Sequence, residues 1–449
     1  MTKKSKFEIR KPPPGVSQAQ ESITFERLEE YPYKSVALAS TRANLTGLWR
    51  YWRPYFETKR APCDAHCPVG NRIVDYIQTL LDGEWREAAT ILRSENPLPA
   101  ITGRLCHRPC EVNCNRRQYD ERIAIHDVES VLAEAAYKLP VLAGVDEPRS
   151  VAVVGSGAAE LSLAHFMALL HHRVTIFEPG DQLGGELRHG RGARQLPDGL
   201  LDAEIARIVE DRVAVEQRKV EMAELEKEVD VVFGSVGGPE HLVLRVSGHE
   251  APARTWDSEL EGWLADGGIM EGAVIETPSL VSEAIGYGKW IALILDAGWR
   301  GLDAVETLRQ IAVGADERIV SLSKYAALLQ GAEWNQSEEV VGYDKLNLDL
   351  LEPATEVTQD MVQRGLTSVT SRFAGEDDVA HVLSEAARCF SCGRCNDCGN
   401  CWIYCPDGVV LRVDGEYEID YDYCKGCRVC AAVCPRGVIS VIEEEEWNE

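Results

Sequence analysis

A multidomain α/β fold is what this sequence predicts, and three observations predict it. Its fifteen cysteines fall into two groups, five at positions 63 to 114 and ten at 389 to 434, with none between. In the gap, Arg149 to Val154 reads as a buried strand that runs into Gly155-Ser-Gly157 and a helical stretch to Leu170, the opening of a Rossmann-type unit. Around the last cysteines, short strand-like runs give the α+β pattern of a ferredoxin. The expected order is an extended segment 1–55, a helical iron-sulfur domain 56–145, a truncated Rossmann-type FAD/NAD-like domain 146–310, a linker 311–385 and a C-terminal ferredoxin domain 386–449.

Composition bounds the classes of function. With 45% hydrophobic and 27% charged residues the chain can bury real cores. Its longest apolar stretch, Trp290 to Leu295, is far too short to span a bilayer, and Met1-Thr-Lys-Lys-Ser-Lys6 lacks the apolar core of a signal peptide. No membrane span and a cytoplasmic location are expected. A net charge of -26 repels nucleic acid and anionic membrane surfaces, and it should bias the potential of any redox centre downward. The acidic run Glu443 to Glu446 serves solubility or docks a basic partner.

In a reducing compartment, cysteines so grouped point to metal rather than disulfides. Cys395, Cys398, Cys401 and Cys405-Pro406 form a C-x2-C-x2-C-x3-C-P run, and Cys424, Cys427, Cys430 and Cys434-Pro435 repeat it. Three cysteines wrap one 4Fe-4S cubane, while the fourth, set before a turning proline, reaches the other. Cys395, Cys398, Cys401 and Cys434 are therefore expected on one cluster, and Cys424, Cys427, Cys430 and Cys405 on the second. Structural zinc would need only two cysteines per half. Strands near Val409–Leu411 and Val438–Val441, with an Asp414-Gly415 turn, suit the small halves of a ferredoxin.

Residues 71 to 139 read as helices, with Ile73, Val74, Ile77, Leu80 and Leu81 on one face and Gly83 as the stop. Cys63 and Cys67 precede them. Gly103-Arg-Leu-Cys106-His-Arg-Pro-Cys110-Glu-Val-Asn-Cys114 lies among them, after a helical pair ending in Asn96-Pro-Leu-Pro99. These segments resemble the N-terminal iron-sulfur domain of the glutamate synthase small subunit and of dihydropyrimidine dehydrogenase, a helical domain holding two 4Fe-4S clusters.

The family opens with a further C-x2-C before the Cys63 equivalent, where this chain reads Tyr55-Phe-Glu-Thr-Lys-Arg-Ala-Pro62. Cys389 and Cys392, surplus to the ferredoxin, are similar to that missing pair moved to the other end of the chain. Glu129 matches the place of a non-cysteine glutamine ligand in the family. The resemblance implies one cluster on Cys67, Cys106, Cys110 and Glu129 and another on Cys63, Cys114, Cys389 and Cys392. The alternative is a single N-terminal cluster on four of the five local cysteines, with Cys389 and Cys392 inert. One or two N-terminal clusters thus join the two C-terminal ones. His66 and His107 neighbour cysteines and are read as supporting or exposed residues.

In the middle, Val174 to Phe177 is a second strand ending at Glu178, and Leu183-Gly184-Gly185 follows. Gly155 and Gly157 permit the tight turn and close pyrophosphate approach, and Glu178 stands where an acid takes ribose hydroxyls. Gln195 to Ile205 and Asp230 to Phe233 also resemble the family's flavin domain. Glu160 replaces the third motif glycine, and a carboxylate repels a pyrophosphate. Gly267 to Gly272, followed by Ser279 to Gly288, resembles the flavin-closing motif, with Ile269 where the family has aspartate. FAD therefore stands open as a cofactor. Relatives insert a second Rossmann unit between the equivalents of Gly238 and Gly267. Here 28 residues, 239 to 266, remain, short of a βαβ unit, so no NAD(P)H site is expected.

Asn44 to Arg53 is aromatic and basic, an anchor for another subunit or a patch that packs on the chain's own flavin-like domain. Residues 311 to 385 end in a helix, Asp377 to Arg388, that delivers Cys389. No hydrolytic triad or zinc-protease motif appears. The domain order resembles accessory subunits of 2-oxoacid:acceptor oxidoreductases and sulfite-reductase-associated relatives. That implies an iron-sulfur electron-transfer subunit working with other subunits of an oxidoreductase, or a cofactor-poor scaffold presenting a ferredoxin to a catalytic partner.

Overall fold

A computed structural model of the chain describes residues 45–190, 192–210, 212–235, 241–246, 273–276, 280–314, 318–332, 334, 336–351, 354–369, 373–413 and 416–448. The Gly267–Gly272 motif with Ile269, the Asp414-Gly415 turn, residues 1–44 and most of 239–266 lie outside them.

Proline and glycine punctuate the N-terminal helices. Pro62 opens α1 (Pro62–Ala65), Pro99 opens α4 (Pro99–Leu105) and Pro109 opens α5 (Pro109–Val112), each at a position where the missing N–H is no loss. Between them, α2 (Ile73–Leu81) buries Ile73, Val74, Ile77 and Leu80, and Gly83 stops the run in a left-handed conformation, φ 84°. It packs on α3 (Trp85–Glu95), while α4 packs on α6 (Ile125–Leu132).

Strand β3 (Ser150–Val154), helix α7 (Ala158–Leu169) and strand β4 (Arg173–Phe177) form the expected βαβ unit. They belong to a six-stranded sheet of order β5-β4-β3-β6-β7-β8, with β5 Val213–Glu216, β6 Val231–Ser235, β7 His241–Val246 and β8 Ala273–Glu276. The first four strands are parallel, and β7 and β8 are antiparallel additions. The described part of the 239–266 stretch thus extends this sheet.

The helix Val281–Trp299 joins the sheet to the cysteine region. A Cβ on Gly288 would lie 2.4 Å from the Ala159 carbonyl oxygen, and one on Gly286 would lie 2.1 Å from the Pro68 carbonyl oxygen. Glycine is needed at both because backbone meets backbone there. On the same helix Lys289 donates to the Val69 carbonyl and lies 2.8 Å from Glu95, both side chains being fully buried. Glu95 also accepts from Ser321 Oγ and from the Leu322 and Ser323 N–H groups. Burial pushes the Glu95 carboxyl up, but Lys289 and these donors outweigh it and hold the group below its usual range.

Residues 311–385, expected as a linker, are instead packed structure. Helices Leu322–Leu329 and Gln359–Ser368 and strand β9 (Gln336–Val340) lie there, with Val320, Leu322, Tyr325, Val341 and Val362 buried. The elements are too short for their periodicity to show in sequence. β9 runs parallel to β2 (Thr58–Arg60). The helix Glu376–Ala387 that follows packs on α2 and α6.

Within the chain, the described part of the aromatic and basic patch meets the C-terminal segment rather than the Rossmann-type sheet, and Leu48, Trp49 and Tyr51 stay exposed. Strand β1 (Trp52–Phe56) pairs antiparallel with β12 (Ile439–Glu443) of the C-terminal segment, Trp52 opposite Glu443. Arg50 and Arg53 meet Glu444 at 2.6 and 2.8 Å. Partial burial pushes the Glu444 carboxyl up, but hydrogen bonds from both guanidiniums pull it down to about 2. The acidic run is therefore partly a structural tie, which patterning alone does not distinguish from a solvated tail. β10 (Val410–Val413) and β11 (Glu416–Ile419) form a hairpin. Among the described residues no helix is long and apolar enough to cross a membrane.

Lys289→Met is expected to destabilise the fold by about 3–5 kcal/mol in urea unfolding, because it leaves Glu95 buried and unpaired. Burial, with the Arg212 and Arg93 charges, lowers the His165 imidazole to about 3. Its folded pKa is depressed below its ordinary 6.5, so the native state loses stability as pH falls below that value. His165→Leu should flatten the decline measured between pH 7 and 5.

Candidate metal centres

The C-terminal runs close around two cavities. One is lined by Cys395, Cys398, Cys401 and Cys434; the other by Cys405, Cys424, Cys427 and Cys430. Each takes three sulfurs from one run and the fourth from the other. One-turn helices Asn400–Ile403 and Val429–Ala432 set Cys401 and Cys430 facing inward, buried.

The N-terminal cysteines also separate into two sets. The charges that bear on Cys63 are those of Asp64, Cys114, Cys389 and Cys392. Those that bear on Cys110 are Cys67, Glu129, Cys106 and Glu111. Helix Glu376–Ala387 ends beside residues 114–124, where Arg116 donates to the Arg388 carbonyl at 2.7 Å and Ala124 N–H to Glu385 at 2.8 Å. Asn115 Nδ2 reaches both the Val341 carbonyl, at 2.9 Å, and Cys392 Sγ, at 3.4 Å. Cys389 and Cys392 are thus brought across the chain to Cys63 and Cys114.

One backbone device recurs in all four sets. Two residues after Cys106, Cys389, Cys395 and Cys424 stand Arg108, Ser391, Asp397 and Gly426, each left-handed with φ 63, 51, 61 and 70°. Each turns its N–H onto the sulfur behind it, at 3.3 Å for Cys106 and 3.4 Å for Cys389. Left-handed turns of this kind gather N–H groups around an anion, as at other iron-sulfur sites. Three of the four residues carry a Cβ and accept strain there.

Burial pushes Cys67, Cys392, Cys401 and Cys430 up to about 12 and Cys389 to about 11, with neighbouring sulfur or carboxylate charges adding to it in Cys67, Cys392, Cys401 and Cys430. Thiols held so far from water lose their protons to a metal bond rather than to solvent. Glu129 is buried, which raises its carboxyl to about 7. Its Oε1 accepts from Asn71 at 2.8 Å and Tyr76 at 3.1 Å, and no described residue donates to Oε2. Among the described residues no three His, Cys, Asp or Glu side chains converge on a single ion; a cubane asks instead for one sulfur at each iron corner. His66 bonds the Pro62 carbonyl at 2.8 Å, and His107 is exposed.

Sequence reasoning missed Asp64, which caps α2 by accepting the Ile73 N–H at 2.8 Å, and Arg436, whose side chain reaches the Phe390 carbonyl. Their only signal was position, one residue after Cys63 and two after Cys434.

The Rossmann-type turn fits a dinucleotide in part. Gly155 and Gly184 are left-handed, φ 98 and 125°, and Gly185 packs over Gly157, where a Cβ would stand 3.3 Å from the Gly157 nitrogen. Glu178 accepts from Ser156 Oγ and from the Gly180 N–H at 2.9 Å. Glu160 does not fit, since its Oε2 would lie 2.7 Å from a Gly157 Cβ, against the turn a pyrophosphate needs.

Comparison with known proteins agrees with this layout. Residues 56–140 match the family described as dihydropyrimidine dehydrogenase domain II, 4Fe-4S cluster; 153–201 the NAD(P)-binding Rossmann-like domain; and 394–438 the 4Fe-4S dicluster domain. The NADP(+)-dependent formate dehydrogenase subunit beta of Moorella thermoacetica is 32% identical over 45% of this chain and 32% of its own length. A glutamate synthase [NADPH] small chain of Mycobacterium tuberculosis is 33% identical over 37% of this chain and 32% of its length. The NAD-dependent dihydropyrimidine dehydrogenase subunit PreT of Salmonella typhimurium is 31% identical over 39% of this chain and 45% of its length. The chain thus spans a third to under half of these relatives. It carries glutamate synthase small-subunit-like iron-sulfur and Rossmann-like segments followed by a 4Fe-4S ferredoxin segment, and 4Fe-4S clusters are its cofactors, with FAD consistent beside them.

The match at 153–201 corrects the expectation of no NAD(P)H site. That expectation looked for a second Rossmann unit, but one glycine turn with an acid after the next strand serves FAD and NAD(P) alike. Replacing Ser391 by proline, which cannot adopt φ 51° or offer an N–H, should lower the iron content of anaerobically purified protein, as read by iron analysis against the native chain.

Proposed function

We propose that this chain is an iron-sulfur electron-transfer subunit of a multi-subunit oxidoreductase, in which four sulfur sets stand in series from one end to the other. Cys67, Cys106, Cys110 and Glu129 make the first, and Cys63, Cys114, Cys389 and Cys392 the second. Cys395, Cys398, Cys401 and Cys434 make the third, and Cys424, Cys427, Cys430 and Cys405 the fourth. When bound, 4Fe-4S clusters supply one-electron transfer at potentials tuned by hydrogen bonds, charge and exposure.

The observation that carries this is the convergence of Cys389 and Cys392 on Cys63 and Cys114. Short peptides then join neighbours: Cys63 to Cys67 and Cys110 to Cys114 span the first and second sets, and Cys392-Gly393-Arg394-Cys395 spans the second and third. Gly393 permits the last link, since a Cβ there would stand 2.6 Å from the Lys59 carbonyl oxygen. Against the reading of Cys389 and Cys392 as inert thiols stands the Ser391 turn, which repeats the turns of the ferredoxin sets. The chain's residues hold the sulfurs, donate N–H groups to them and keep water from the buried ones.

The finer assignment, to 2-oxoacid:acceptor oxidoreductases, rests on likeness of domain order. A thiamine-diphosphate oxidoreductase co-purifying with the chain supports it, and a molybdoenzyme or sulfite reductase in its place overturns it. A second reading is favoured by Glu160: the Rossmann-like segment as scaffold, presenting the ferredoxin to a catalytic partner. FAD released on denaturation would count against that scaffold.

Iron and sulfide analysis of oxygen-free protein tests the main reading. Four clusters per chain are expected, and Cys389→Ala with Cys392→Ala should remove one of them. Three clusters in the native chain, unchanged in the double variant, would overturn the series.

A further inference from the structure

Arg436 is a buried guanidinium, 6% exposed, in a chain whose net charge is -26. It follows Cys434 by two residues, and its side chain lines the cavity of Cys395, Cys398, Cys401 and Cys434. Its Nη1 donates to the Phe390 carbonyl, inside the Cys389–Cys392 loop, and its own carbonyl accepts the Gly393 N–H at 2.7 Å. The side chain therefore touches the walls of two sulfur sets at once. Its charge bears on Cys389, Cys392 and Cys395 alike. At the first set no arginine among the described residues is buried between two sets in this way: Glu129 and the Glu111 carboxylate, the latter paired with Arg122 at 3.0 Å, bear on Cys106 and Cys110.

We infer that Arg436 is a fixed cation placed between the second and third sulfur sets, raising the reduction potential of both relative to the first. The inference rests on the four-set reading above. Each added electron increases the negative charge of its site, so a buried cation a few ångströms away favours the reduced state in a medium that screens poorly. A guanidinium is suited to this because it stays protonated at any working pH. One electron moves with no bond made or broken, and Arg436 neither gains nor gives up a proton. An electron entering at the first set then finds the junction between the two halves of the chain favourable, although the protein as a whole is acidic.

A purely structural role predicts something different. Arg436 would then matter only for tying the Phe390 carbonyl, and substitution would loosen the loop or lose iron without selective change in potential. Redox titration followed by electron paramagnetic resonance on anaerobic full-length protein separates the two. In Arg436→Gln, two of the four centres should show about a tenfold lower reduced-to-oxidised ratio at a fixed poise, which is 59 mV for one electron. The other two should not move, and Arg436→Lys should restore most of the difference.

Unchanged potentials in Arg436→Gln with full iron would overturn the inference, and so would Arg436→Lys behaving like Arg436→Gln. Should the Gln variant lose iron, Arg436→Met, neutral and of similar reach, supplies the same test: the same two centres should again show about a tenfold lower reduced-to-oxidised ratio, and unchanged potentials there overturn the inference. A native chain with only three clusters contradicts the four-set reading instead, and iron analysis shows that independently of any potential.

Discussion

Cys63 and Cys114 lie near the start of the chain and Cys389 and Cys392 near its end, yet the four come together, Cys63 and Cys392 buried and Cys114 and Cys389 half-buried. Burial holds Cys63, Cys389 and Cys392 in the protonated form unless a metal replaces the proton. Much of the surrounding structure can be understood as serving that convergence. The helix Glu376–Ala387 docks on α2 and α6 and delivers the late cysteines, Asn115 steadies Cys392, and strands β1 and β2 bind the early residues to β12 and β9. Segments far apart in sequence are thereby closed into one unit, with the loop-closure entropy offset by burial and metal bonds.

The Rossmann-type sheet is tied to the same place by backbone contact. Helix Val281–Trp299 brings Gly288 against Ala159 of α7 and Gly286 against Pro68 beside the first cysteines. The buried Lys289–Glu95 pair locks that approach and also bonds the Val69 carbonyl, two residues from Cys67. A displacement in the sheet would be felt directly at the sulfur sets. Glu160 against the Gly155–Gly157 turn shows that this sheet has kept the geometry of a dinucleotide fold while changing the charge at its centre.

Electrostatics sorts the four sets. Arg50 faces the fourth through the Cys424 carbonyl, Arg436 joins the second and third, and at the first Glu129 and an Arg122-paired Glu111 bear on the sulfurs. In a chain so acidic overall, two buried or half-buried arginines at the sulfur sets are a local reversal of sign. Turns at Arg108, Ser391, Asp397 and Gly426 add one directed N–H to every set. Charge and hydrogen bonding are the levers by which proteins set cluster potentials.

Much of this was legible in the residues themselves. The two C-x2-C-x2-C-x3-C-P runs, the helical face of Ile73 to Leu80 and the strand–glycine–helix run at Val151 to Leu169 are local patterns, because their spacing follows the period of the element that carries them. Packing of 311–385, the seat of Trp52 on β12 and the tie of Glu444 were not legible, since short elements with mixed faces leave little periodicity. The sequence by itself determined which residues could bind metal and where the dinucleotide-type turn lies. Only the tertiary structure decided that Cys389 and Cys392 lie beside Cys63 and Cys114 and that Arg436 stands between two sets, because these are contacts between segments whose separation along the chain carries no signal of their distance in space.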